Sequence, residues 1–386
     1  MRLTRLILTL AFCLFAHAVA ASGKSSIGTV QLRTAKDTID GRVVIRDDKN
    51  CWLYDRVGRL REVKLADVKS FQQVSTKFSP LTPNSMATEL IRELGKDFET
   101  ATTRHYVVAA PPGKAKSYVE LFENIYRTFH MHFSVRGLEV NEPEFPLVAI
   151  VFPNRHQFLE YARSEGTNAQ QYGGYYSPRT NRAVLFESTG AATSRLELES
   201  PIKPLLLEST ALAAPRNQFK TIDADQRDTM IHECTHQVAY NVGLHNRVGE
   251  NPRWLVEGLA TVFEAPGIRH SSSGVQLSSR INPERLTAFK EYLKQRRPKN
   301  SVEATVAGDE LFSVAMSDFY AEAWALSFFL IETRPRKYSD LLTRTAKRDG
   351  NKRLSREERL ETFKASITDN LKQLDSEYTR FYDKLK

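Results

Sequence analysis

The sequence predicts an α+β chain, and three observations carry that reading. Short β-rich runs separated by turn residues occupy positions 27–75, strand-like and helix-like segments alternate over 85–270, and the pattern over 271–386 is mostly helical. A chain of 386 residues has room for about two to three domains with a substantial core. The net charge of +9 is dispersed along the chain, which favours solubility, and no nucleic-acid motif accompanies it.

Residues 1–20 read as a secretory signal. Arg2 and Arg5 precede an apolar run over 6–15, and Ala18-Val19-Ala20 gives an A-x-A cleavage site before Ala21. The apolar run is shorter than the ~20 residues a membrane span needs, and Cys13 follows Phe12 where a lipoprotein site wants a small residue. The expected location is periplasmic or secreted, with no integral membrane segment in the mature chain. Loss of the two arginines would lower the net charge by two.

Over 27–75, strands are expected at 29–33, 43–46, 51–54 and 60–64. Turns fall at Asp40-Gly41, at 47–50 and at Val57-Gly58. The rhythm resembles an SH3-like barrel, which would either recognise cell wall or peptide or serve as a structural cover. Residues 79–84, Ser-Pro-Leu-Thr-Pro-Asn, read as a linker.

The next lobe reads as a strand at 105–110, an amphipathic helix at 114–133, a buried strand at 147–152 and a helix at 154–163. A turn at 175–181 and a strand at 183–187 follow, then a long connection over 188–224. This alternation predicts a mixed sheet ahead of residue 230. The charge-rich stretch over 347–359 reads as a solvated face.

Residues 232–236 are His-Glu-Cys-Thr-His. Histidines four apart on a helix share a face with Cβ atoms roughly 5–6 Å apart, so both rings can reach one Zn²⁺ at about 2.0–2.1 Å. Chance yields such a string in about one chain in a hundred of this His and Glu content, so the surrounding helix matters. Ile231, Cys234, Val238 and Val242 form an apolar stripe, and His232 and His236 lie about 100–140° round from it. Asp225 can cap the start, Asp228 sits in the first turn, and Gly243 follows the end. Cys234 points about 200° away from His232, as a small core residue does, which disfavours a bridge to Cys51.

A second helix begins at Asn251-Pro252, an N-cap followed by proline at the first helical position, and stops at Pro266-Gly267. It carries Glu257, 21 residues past His236, which is either a solvated surface group or a third ligand. Gly258 should cost this helix about 1 kcal/mol relative to alanine, which suggests that another backbone, such as that of the metal-binding helix, passes close by.

With His232, Glu233, His236 and Glu257 the chain resembles the gluzincin group of zinc metallopeptidases. More narrowly, Met230 through Phe263, with Asn251-Pro252-Arg253-Trp254-Leu255-Val256-Glu257-Gly258-Leu259-Ala260, is similar to an uncharacterised family of exported bacterial proteins assigned to that group, over about residues 85–335. The resemblance implies a zincin-like lobe holding one Zn²⁺ on His232, His236 and Glu257. It also implies Glu233 as general base and a strand before the metal helix, at the sheet edge, that pairs with extended substrate; an interior strand is the alternative.

Related aminopeptidases carry a transition-state tyrosine where Tyr320 stands, heading an apolar helix over 321–333; core packing is the other reading of that residue. Thermolysin-like enzymes place an aspartate four residues after the ligand glutamate, where this chain has Thr261. That leaves the group orienting a ligand histidine open. No Gly-x-Met-Glu-Asn run is present, which argues against aminopeptidase action. A metzincin is excluded by Ala239 and Val242 at the positions where it needs Gly and His. His245, past the Gly243 stop, is either a loop residue or a substitute ligand or proton donor.

Two functions follow. One is an exported zinc-dependent peptidase, expected to act as an endopeptidase on peptide or protein, including envelope proteins or cell-wall peptide. The other is a non-catalytic envelope binding protein that keeps the fold with structural zinc. A structural site closes with four protein ligands and needs no base, so the intact Glu233 favours the first.

Overall fold

The computed structural model describes residues 28–138, 140–187, 224–269 and 276–385. The expected signal peptide and nearly all of the 188–224 connection lie outside the described residues. The architecture is α+β: an N-terminal antiparallel sheet, a mixed sheet flanked by helices, and a helical C-terminal part.

The first sheet contains β1 (Val30–Arg33), β2 (Thr38–Arg46), β3 (Asn50–Tyr54), β4 (Leu60–Lys64) and β5 (Ser70–Gln73) in the order β4-β3-β2-β1-β5. Its core is Leu32, Cys51, Leu53 and Val63. The expected turn at Asp40-Gly41 lies inside β2, with Gly41 opposite Val30. Gly41 serves close approach there, since a Cβ would collide with Tyr54 and Leu53. The chain reverses earlier, at Thr34, whose N–H donates to Asp37 O at 2.8 Å. Strand β5, Ser-Phe-Gln-Gln, has one apolar residue and no alternation to announce it.

Residues 83 and 84 open a helix instead of ending a linker. Helix α1 (Pro83–Leu94) has Pro83 at its start, and the Thr82 side chain accepts from Ser85 N–H. The second sheet follows: β6 (Glu99–Thr102), β7 (Tyr106–Ala110), β8 (Leu147–Phe152), β9 (Gly174–Ser177) and β10 (Arg182–Phe186), in the order β6-β7-β8-β10-β9. Strands β7, β8 and β10 are parallel, and the two edge strands run antiparallel to them. The expected strand at 183–187 is therefore interior. The edge is β9, cut from the stretch read as a turn, because Tyr175 and Tyr176 pair with Val184 and Ala183 and only 178–181 reverse the chain.

Alternation sorts the sheet's two faces. Val107, Ala109, Val148, Ile150 and Val184 pack with α1 and with α3 (Arg155–Ser164). Tyr106, Val108, Leu147, Ala149, Val151, Ala183 and Leu185 join the main core under α2 (Ala115–Ser134), α4 (Ala224–Asn241) and α5 (Arg253–Glu264).

The same core continues into the remaining helices. These are α6 (Leu277–Arg280), α7 (Pro283–Gln295), α8 (Ser301–Ala307), α9 (Glu310–Val314), α10 (Met316–Thr333), α11 (Pro335–Ala346), α12 (Arg356–Ser366) and α13 (Leu371–Asp383). The 347–359 stretch is only partly a solvated face. Arg359 donates to Asp309 at 2.9 Å with its side chain 10% exposed, and Asn351 donates to Arg46 O of β2. Among the described residues no helix is long and apolar enough to cross a membrane.

Candidate metal centre

Helix α4 presents two faces. Ile231, Cys234, Val238 and Val242 are all buried on the core side. Gly243 ends the helix at φ 85, the left-handed conformation that favours glycine. Asp225's side chain lies outside the described residues. Cys51 and Cys234 are unpaired and buried, and Cys234 Sγ lies 2.8 Å from the Tyr106 hydroxyl.

Helix α5 starts one residue later than expected, with Pro252 as its N-cap and no side-chain cap bond. Asn251 ties the preceding loop instead, donating to Asn246 O at 2.8 Å and accepting from Asn246 N–H at 2.9 Å. The first helical N–H, that of Arg253, donates to Asp309 at 3.1 Å. Gly258 is a close-approach position, but the neighbour is α10 and not α4, since a Cβ would strike Ser327 and Ala323. That contact sets Glu257 on α5 and Tyr320 on α10 in one fixed relation.

The three expected ligands come together. His232 Nε2 and His236 Nε2 are 3.0 Å apart, and Glu257 Oε2 lies 3.3 Å from the first and 3.5 Å from the second. A tetrahedral ion about 2.0–2.1 Å from three donors needs them about 3.3–3.4 Å apart, so the donor set fits one such ion. Glu257 Oε2 and His236 Nδ1 are buried without protein hydrogen-bond partners. The group capable of holding a metal comprises these three residues, and among the described residues no fourth ligand joins it.

Burial alone would push the His232 imidazole down. The Glu257 and Glu264 carboxylates beside it outweigh burial and hold it up at about 10. Burial would raise Glu257, but His236 and His232 outweigh it and hold that carboxyl well below the ordinary carboxylate range. Two imidazoles and a carboxylate facing one point thus attract a positive charge, as a proton or as a cation.

The group orienting His232 is Glu264, a residue with no expected role. Its Oε1 lies 2.9 Å from His232 Nδ1, fixing the ring so that Nε2 faces the other donors. Glu264 is seven residues after Glu257, two turns along the same face of α5. That spacing was available in the sequence, but the four-residue spacing drew attention to Thr261. Thr261 is fully buried and donates back to Glu257 O and Gly258 O. Asn282 donates to Glu264 Oε2 at 2.9 Å, and Arg285 Nε lies 3.7 Å from the same oxygen.

Glu233 is half-buried on α4, beside the donors and outside their set. Tyr320 sits within α10, four residues after its start, half-buried against the main core. Burial, then Glu257 and Glu233, raise its hydroxyl so that it stays protonated, while the Arg285 guanidinium lies 5.4 Å over its ring. His245 does not join the donors. It is buried against Tyr240, ring centroids 5.1 Å apart, and burial pushes it down to about 3, leaving it neutral.

Residues 226–350 match a family described as "Protein of unknown function (DUF1570)", less than half of the chain and narrower than the expected 85–335. The matched stretch contains His232, Glu233, His236, Glu257, Glu264 and Tyr320 and excludes both sheets. No curated protein matches the chain.

Proposed function

We propose that the chain is an exported zinc-dependent peptide hydrolase of the gluzincin type, a zincin-like lobe with an SH3-like domain before it, acting as an endopeptidase. The observation that carries this reading is the convergence of His232 Nε2, His236 Nε2 and Glu257 Oε2 at 3.0–3.5 Å without a fourth protein ligand among the described residues. A structural site would close with four protein ligands.

A zinc ion held by these residues supplies Lewis acidity, lowering the pKa of a water to about 7 and polarising a carbonyl. Glu233 takes the proton of the attacking water and returns it to the leaving amine as the C–N bond breaks, a role typically worth about 10²–10⁴-fold in rate. Tyr320, held protonated, donates to the carbonyl oxygen as it gains charge. Glu264 keeps His232 in the tautomer that offers Nε2. Strand β9 packs beside α4, and its edge, unpaired among the described residues, can pair with an extended peptide backbone.

The test is incubation with a diverse peptide library and cell-wall fragments, followed by mass spectrometry of the products. Cleavage by the wild type and not by Glu233→Gln is the expected result. Equal cleavage by both proteins refutes the assignment of Glu233 as base.

A further inference from the structure

Strand β9 has four residues, and among the described residues its only sheet partner is β10, which leaves its other edge unpaired there. A short edge strand on a tight turn is weakly specified by itself, so what fixes its turn matters. The turn contains Asn181 at φ 60, the one non-glycine residue at positive φ among the described residues.

On one side the turn is tied to the metal helix. Asn181 and Asn241 exchange side-chain hydrogen bonds at 3.0 and 2.7 Å, and Tyr176 donates to Asn181 Oδ1 at 2.9 Å. Gln237, next to His236 and fully buried, donates to Asn181 O at 3.0 Å and Val148 O at 2.9 Å.

On the other side stands Arg247, in the loop joining α4 to α5. Its Nε and Nη2 fork onto Pro178 O at 3.0 and 2.8 Å, and Nη2 also donates at 2.6 Å to Gly58 O in the turn between β3 and β4. The guanidinium lies 4.5 Å over the Tyr54 ring, and Leu60 N–H donates to Arg179 O at 2.7 Å alongside. Among the described residues no carboxylate forms a salt bridge with Arg247. Its charge faces two carbonyls and a ring, a task for a planar fork of donors that an ammonium cannot perform as well.

We propose that Arg247 is a positioning residue through which the N-terminal sheet holds the β9–β10 turn, and with it the edge of β9, in register beside the metal helix. The inference rests on the peptide-hydrolase reading. It makes the N-terminal sheet an intramolecular brace for substrate alignment. A brace with no part in substrate binding would change thermal stability alone, whereas a positioning residue changes KM for peptides long enough to pair along β9.

The experiment compares wild type, Arg247→Met and Arg247→Lys by metal content, steady-state kinetics on long and dipeptide-length substrates, and amide hydrogen exchange at residues 174–177. Peptide affinity is measured in the Glu233→Gln background. Arg247→Met should keep its zinc, hold kcat within about twofold, raise KM for long peptides about tenfold and leave short substrates unaffected. Exchange at 174–177 should accelerate about tenfold, with Arg247→Lys intermediate; should the Met variant not fold, the Lys variant carries the comparison. A wild type that neither binds nor cleaves peptide overturns the substrate role together with the reading beneath it, and unchanged exchange in both variants overturns the brace even where peptides are cleaved.

Discussion

Two of the buried polar clusters among the described residues differ in their chemistry. Arg297 and Glu322, 3% and 0% exposed, meet at 3.0 Å, and Arg297 also donates to Asp375 at 2.7 Å beneath the Tyr378 ring. Cation and anions are both supplied by the chain. At His232, His236 and Glu257 the chain supplies three donor atoms that face one point and no cationic side chain among the described residues, and the buried Glu257 Oε2 makes no protein hydrogen bond. Buried polar groups are normally satisfied, so the closed cluster reads as architecture and the open one as a place for a ligand.

Variants in the two clusters should give opposite readouts. Glu233→Gln should lower turnover about 10²–10⁴-fold with metal content and melting temperature unchanged. Arg297→Met should do the reverse, costing about 3–5 kcal/mol by leaving Glu322 buried and unpaired while the folded fraction keeps its metal affinity. Denaturant titration of both variants checks this, and a loss of metal in folded Arg297→Met would merge the two clusters into one.

Smaller effects sharpen it. Glu264→Ala should weaken metal binding about 10–100-fold without abolishing it, as seen in competition with a chelator. Metal affinity should also rise with pH. His232 is held protonated up to about 10 and must release that proton to bind, so affinity should gain about tenfold per pH unit through neutrality; a flat profile counts against that proton.

A further effect, confined to acid pH, lies away from both clusters. Burial pushes His132 down to about 3, below its ordinary 6.5. The unfolded chain therefore binds the extra proton between those values. Stability should fall by about 1.4 kcal/mol per pH unit below 6.5 from this residue, and His132→Asn should flatten the slope.

The sequence exposed what helical periodicity can carry. His232, His236 and Glu257 were legible because each lies on a well-marked helix, and Gly258 correctly announced a close contact. Which backbone made that contact was not legible, because α10 begins 58 residues later and its docking is a tertiary choice. Glu264 was hidden by the shorter spacing leading to Thr261. The edge strand was misplaced because four residues of β9 carry too little alternation to separate strand from turn, and Gly41 read as a turn because close packing and chain reversal both favour glycine. Arg247 gave no local signal, since its partners come from segments far apart in the chain.

The central claim is that the cluster on α4 and α5 binds one divalent ion, and elemental analysis of the purified chain tests it most directly. One zinc per chain is expected in the wild type and in Glu233→Gln, and none in His236→Ala or Glu257→Ala. A wild type that takes up no zinc when dialysed against it, or a His236→Ala variant that binds as much as the wild type, would contradict the account.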